Sequence, residues 1–159
     1  MPPTAAEPMV DLLFLLNQAS HALQTHLTAA LAEEEVTPRD HCVLSKAMQG
    51  EFTQGQLAAM AALDKTTMVV TLDHLEKAGL AERRPSSTDR RARIVAVTDK
   101  GREVVERTRG IVDGTFGETL AHLPEDERAP FVEALTRLVE GPLAAPSHTA
   151  RPVRRRSAR

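Results

Sequence analysis

The sequence predicts a mainly α-helical chain interrupted by one short β-hairpin. The core-forming residues are Leu, Val, Ala and Met, with no Trp or Tyr and only four Phe. That palette suits helix packing better than a β-sandwich. Apolar residues recur at three- and four-residue steps along most of the 159 residues, the period of amphipathic helices. The period gives way to β-branched residues at one place, around residues 81–98.

Residues 1–8 hold three Pro and read as a flexible arm. From Met9, behind Pro8, the apolar series Leu12, Leu13, Leu16, Ala19, Leu23, Leu27, Ala30 and Leu31 predicts a long first helix. A helix of this length needs a bundle or a second chain to cover its stripe. Thr37-Pro38 is an N-cap followed by a first-turn proline. It opens a second helix to about Gln49, with Val43, Leu44, Ala47 and Met48 inward and Gly50 as its end. Glu51-Phe52 reads as a very short strand. Thr53 opens a third helix with Leu57, Ala58, Ala61 and Leu63 as its apolar set. Asp64 caps a fourth, which closes at Gly79 and buries Met68, Leu72 and Leu75, extended by Leu80. Ala81–Arg84 and Arg93–Thr98 pair as a hairpin across the turn formers PSSTDR. Thr98 opens a fifth helix with Val104, Val105, Thr108, Ile111, Val112, Thr115 and Leu120 inward. A sixth follows Pro124, with Phe131, Leu135, Leu138 and Val139 inward, and ends at Gly141. Pro130 is expected to kink that helix or delay its start to Ala129. The Pro-, Ala- and Arg-rich residues 142–159 read as a disordered basic tail.

Composition excludes several classes. Apolar residues at 42% and charged residues at 26% are an ordinary globular balance. One cysteine, Cys42, excludes an internal disulfide framework and a multi-cysteine zinc site. No apolar run reaches the ~18 residues of a membrane span, and the first ten residues lack a secretory n-region, so a soluble, cytoplasmic protein is expected. The net charge of −2 conceals an uneven distribution. Residues 1–40 carry one Arg against six acids, residues 83–93 carry five Arg against one Asp, and residues 151–159 carry five Arg and no acid. Clustered basic charge on an acidic chain points to a polyanion partner more than the average does. For the tail, a solvated segment and a sequence-indifferent phosphate contact are both open readings.

Helix, short turn, helix and basic hairpin is the plan of a winged helix-turn-helix, whose second helix enters the major groove by its N-terminal end. Here that end is Lys65-Thr66-Thr67, one cation and two hydroxyls suited to phosphate or base-edge contacts. Val70 reads either as an ordinary exposed apolar residue or as a groove-facing side chain over a thymine methyl. In the hairpin, Arg83, Arg84, Asp89, Arg90, Arg91 and Arg93 make up the candidate wing.

The chain resembles the MarR family of bacterial transcription regulators over about residues 9–140. The resemblance rests on Leu75-Glu76-Lys77-Ala78-Gly79-Leu80, then Asp89-Arg90-Arg91, then Val97-Thr98-Asp99-Lys100-Gly101, where Val97 replaces the family's Leu. It implies that Arg91 inserts into the minor groove and that Asp89 holds the wing arginine in place. It implies a homodimer built from the first, fifth and sixth helices, which divides the chain into a dimerisation domain (9–36 and 99–141) and a DNA-binding lobe (37–98). It implies a ligand-responsive repressor on a pseudo-palindromic operator, with its small-molecule effector among the first, second and fifth helices, where His21, Arg39, His41 and Lys46 are candidates. Many relatives carry Thr and Arg where this chain has Val69 and Val70, so its base preference should differ.

The remaining candidates are bland. Cys42, flanked only by Arg39 one turn earlier, reads as a small buried hydrophobe rather than a redox centre. The six His show no zinc spacing, and His74 reads as a phosphate contact at best. Glu33-Glu34-Glu35 reads as a solvated helix end. No phosphate loop, Gly-x-Ser-x-Gly or His-Glu-x-x-His is present, so neither an enzyme nor a cofactor or metal is expected. A winged helix can also serve as a protein-interaction module, but that role has no use for five Arg in eleven residues.

Overall fold

The structure, a computed structural model, describes residues 11–144. The expectations for residues 1–8 and for the tail from residue 145 onward lie outside the described residues. Element order is α1 (Leu12–Ala30), a 3-10 turn (Ala32–Glu34), α2 (Pro38–Ala47), β1 (Phe52–Thr53), α3 (Gln54–Met60), α4 (Lys65–Lys77), β2 (Ala81–Pro85), β3 (Arg93–Val97), α5 (Asp99–Leu120) and α6 (Glu125–Glu140). The helices fall into two compact units that part between Phe116 and Gly117, within α5. No described helix is long and apolar enough to cross a membrane.

In the first unit each helix start is capped by the residue type its sequence supplies. Asp11 accepts the Phe14 N–H at 2.9 Å and caps α1 at Leu12; the expected start at Met9 lies outside the described residues. Thr37 and Asp40 form a capping box for α2, as Thr53 and Gln56 do for α3. The turns that end α3 and α4 are alike. Leu63 N–H donates to Ala58 O and Ala62 N–H to Ala59 O, as Leu80 does to Leu75 and Gly79 to Glu76. This is the Schellman closure, whose left-handed residue is Gly79 at φ 71° in one case and Ala62 at φ 52° in the other.

The sheet has the order β1-β3-β2 and is antiparallel throughout. Phe52 pairs with Val95, so the short strand sits one residue later than expected, and Ala81 pairs with Val97. The fully buried Leu44, Leu57, Met68, Leu72 and Leu75 join α2, α3 and α4 over this sheet. A Leu fully withdrawn from water contributes about 1.5–3 kcal/mol. A smaller cluster, Leu27, Leu31 and Val112, joins α1 to α5.

Thr98 does more than open α5. Its hydroxyl accepts the Gly101 N–H at 3.0 Å and donates to the Gly79 carbonyl at 2.7 Å, and its N–H donates to Leu80 O at 3.1 Å. Lys100 Nζ adds a bond to Ala78 O at 2.8 Å. The start of α5 is thereby tied to the end of α4.

In the second unit Pro124 precedes α6, which runs unbroken from Glu125 through Pro130 to Glu140. The expected delay to Ala129 does not occur. Pro130 stands just beyond the first turn, where most N–H groups have no helical partner, so it forfeits a single bond, to the Asp126 carbonyl. Arg128 closes the preceding loop by donating to Leu123 O at 3.0 Å and Ala121 O at 3.3 Å. Beyond Gly141, residues 142–144, expected to be disordered, continue a turn in which Leu143 N–H donates to Leu138 O at 3.0 Å. The expected inward face of α6 is not inward: Phe131, Leu138 and Val139 are exposed, as are Leu12, Leu13, Phe14 and Leu15 on α1. Both stripes have helical spacing and stand exposed among the described residues.

Candidate nucleic-acid interface and adjoining cavity

The N-terminal turn of α4 is organised by its cap. Asp64 accepts the Thr67 N–H at 2.9 Å and the Thr67 hydroxyl at 2.6 Å, and these bonds hold its carboxyl below the usual pKa. Thr67 is therefore turned to the cap, whereas Lys65 and Thr66 are exposed. Val70 is 63% exposed and Val69 38%, on the side away from the buried Met68, Leu72 and Leu75.

The wing separates its arginines into two kinds. Arg83 is half-buried and engaged. Its guanidinium bonds Glu76 and, at 2.9 Å, Asp73, its Nε reaches Gln54 Oε1 at 3.4 Å, and its backbone N–H donates to Glu76 at 2.8 Å. It clamps strand β2 to α4 rather than offering an open cation. Arg84, Arg90, Arg91 and Arg93 are exposed, and the last three have no side-chain partner among the described residues. The Asp89 carboxylate accepts the Arg91 backbone N–H at 2.9 Å, a contact with the backbone rather than with the guanidinium.

A strut that the sequence did not announce supports this tip. Glu51, just before β1, accepts the Ser86 hydroxyl at 2.8 Å and the Ser87 N–H at 3.2 Å. Bonds from Ser87 and Ser86 hold its carboxyl below the usual value, with the Arg84 charge adding to the effect. The buried Ser86 oxygen in turn accepts from Thr88 N–H at 3.1 Å and Asp89 N–H at 3.3 Å. The only local signal was the polarity of the PSSTD run. Its partner lies 35 residues away.

A cavity of about 1010 Å³ lies within the first unit among α1, α2 and α5. Of the four candidates, Arg39, His41 and Lys46 line it, while His21 faces a separate shallow recess with Thr25 and Ala29. Leu23, Leu27, Val105, Val112 and Phe116 give it an apolar wall, and Arg109 and Asp113 add charge. Arg109 escaped the sequence reading, although the spacing Val105, Arg109, Val112, Phe116 places it on one helix face.

His41 links α2 to α5. Its Nδ1 lies 2.7 Å from Thr108 Oγ1, and Ser45 Oγ lies 3.2 Å from its Nε2. Thr108 donates its one hydroxyl proton to Val104 O at 2.7 Å, so toward His41 it accepts. The neutral Nδ1–H tautomer then satisfies both ring nitrogens. Burial lowers the His41 pKa below 6.5, with Asp113 opposing and Arg109 reinforcing.

Three bland expectations change. Cys42 is half-buried and lines the cavity rather than being sealed in the core. Glu34 is not simply solvated: it accepts from Arg107 Nε at 2.5 Å and anchors the 3-10 turn to α5. His74 approaches the buried Asp40 at 3.4 Å, so its nearest anion is internal.

Residues 35–92 match the family model described as MarR family. The fold is similar to that of CouR from Rhodococcus jostii RHA1 bound to p-coumaroyl-CoA, at 26% identity over 87% of this chain and 95% of that one, with a TM-score of 0.74. A structure of the transcriptional repressor CouR bound to a 23-mer DNA duplex matches at 27% identity over 80% and 92%, with a TM-score of 0.72. A MarR-family transcriptional regulator from Rhodococcus sp. RHA1 matches at 25% identity over 87% and 96%, with a TM-score of 0.73. The family match across the helix-turn-helix and wing is thus joined to a fold that is similar, along most of the chain, to that of a MarR-family winged-helix transcription regulator.

Proposed function

We propose that this protein is a cytoplasmic, sequence-specific repressor that binds a pseudo-palindromic operator as a homodimer and is released by a small-molecule effector. The observation that carries the reading is the pairing, within one lobe, of an exposed N-terminal edge of α4 (Lys65, Thr66, Val70) with a wing whose Arg84, Arg90, Arg91 and Arg93 face solvent. A recognition helix supplies base contacts while wing cations neutralise phosphate or enter the minor groove. The DNA-bound state of CouR supports the same role here.

The exposed apolar residues of α1 and of α6 support dimerisation, each being a stripe that needs a second chain. Two α4 helices on a two-fold axis would lie about 34 Å apart, one turn of duplex. The cavity supports an effector with an apolar body and an anionic group, for which Arg39, Lys46 and Arg109 provide counter-charge. The ligand-bound state of CouR supports an organic anion as the class.

A gel shift with the DNA upstream of the protein's own gene, against unrelated duplex of equal length, tests the reading. Equal affinity for both duplexes overturns sequence-specific binding, and a monomer by light scattering at micromolar concentration overturns the dimer.

A further inference from the structure

Helix α4, from Lys65 to Lys77, contains no Arg, Asn or Gln. Of the side chains that make paired hydrogen bonds to guanine or adenine in the major groove it offers only lysine, Lys65 in its first turn and Lys77 in its last. Its other polar groups are partly committed: Thr67 to Asp64 at 2.6 Å, Asp73 to Arg83 at 2.9 Å, and His74 toward Asp40 at 3.4 Å. What the helix exposes is hydrocarbon. Val69 and Val70 follow Lys65 and Thr66 at the i+4 spacing and share their face. With Met60 on α3, they are the large apolar side chains that residues 37–98 leave exposed.

The surroundings of this patch select its occupant. Lys65 borders it, and the same lobe carries the exposed Arg84, Arg90, Arg91 and Arg93, which favours a polyanion over an apolar protein surface. Within the major groove of a duplex the thymine C5-methyl is the apolar group on offer. We infer that Val69 and Val70 read thymine methyl groups, so that methyl contact, beside the hydrogen bonds that Lys65 and Thr66 can make, selects the half-sites of this protein. The inference rests on the proposed DNA-binding function and adds the chemical feature of DNA being read.

The test uses the full chain. An operator is selected from a random duplex library, and each half-site dT is then replaced by dU, which removes the methyl and keeps the base-pairing edge. Wild type should lose about three- to fivefold affinity per contacted methyl, the effect of one buried carbon. The double variant Val69→Ala/Val70→Ala alters two outward-facing side chains and should respond much less to the same replacement, as a double-mutant cycle requires. Wild-type affinity that is unchanged by dU overturns the inference and leaves DNA binding standing. An equal dU penalty in wild type and variant also overturns it, since the methyl would then act through DNA shape. Failure to bind any duplex overturns the proposed function itself.

Discussion

Gly101 on α5 packs directly against the carbonyl oxygen of Leu80: a Cβ at position 101 would fall inside that oxygen and stand 2.8 Å from Val97 Cγ1. Both neighbours are held by the turn that ends α4 and by β3, so neither can swing aside. Gly101→Ala is therefore expected to lower stability by about 3 kcal/mol, the upper part of the range for overpacking. A urea midpoint equal to wild type would show that the two helices can separate here at little cost.

The paired closures after α3 and α4 predict opposite effects of one chemical change. Ala62 holds a left-handed conformation that costs an L-residue about 1–2 kcal/mol, while Gly79 holds the same region without that cost. Ala62→Gly should stabilise by about 0.5 kcal/mol, after the greater freedom of Gly in the unfolded chain is subtracted. Gly79→Ala should destabilise by about 1 kcal/mol. Thermal unfolding of both variants checks the signs, and a destabilised Ala62→Gly variant refutes the strain argument.

The two kinds of wing arginine should separate experimentally. Arg91→Ala is expected to leave stability within about 0.5 kcal/mol of wild type, as for an exposed tip. It should abolish tight operator binding and reduce the slope of log affinity against log salt by about 0.9 if one phosphate contact is lost. Arg83→Ala should lower stability by about 1 kcal/mol, since Asp73 and Glu76 lose their shared cation. Its salt slope should stay as in wild type. Equal gel-shift and melting behaviour of the two variants would contradict the division.

His41 predicts a pH dependence whose sign follows from its lowered pKa. Above the unfolded value of 6.5 the residue is neutral in both states and its contribution is fully present. As pH falls below 6.5 the unfolded chain takes up the proton first, so stability declines toward the lower folded pKa. His41→Asn should flatten that decline relative to wild type. Denaturant midpoints measured at about pH 7.5 and 5.5 decide it, and an unaltered pH response in the variant removes His41 as the cause.

Local regularities made much of this legible in the sequence. Met68, Leu72 and Leu75 share one face because 3.6 residues make a turn, and Thr37, Thr53 and Asp64 cap because their side chains reach the third N–H beyond. The exposure of Lys65, Thr66 and Val70 along α4 was legible for the same reason. What escaped required distant partners. The identity of Arg83 gave no sign that Asp73 and Glu76 would engage it across the reversal at Gly79, and Glu51 meets Ser86 only because β1 joins the sheet. His21 belonged to the same helix as the cavity wall but, two residues before Leu23, stands about 200° round the helix from it and lines a separate recess. Pro130 did not delay α6 to Ala129, because Pro124 and the acidic first turn start the helix five residues ahead of it.

Asp40 is flanked in sequence by Arg39 and His41, both of which border the cavity, while its own buried carboxylate faces His74 on α4. A single turn of α2 is thus in mechanical series between the two proposed binding regions. Under the proposed function, a molecule that displaces this turn by occupying the cavity works against the seat of α4. Thermodynamic reciprocity then applies: the factor by which such an effector weakens operator binding is the factor by which the operator weakens the effector. Repression and sensing would share one free energy, and neither affinity could be tuned through this turn without moving the other.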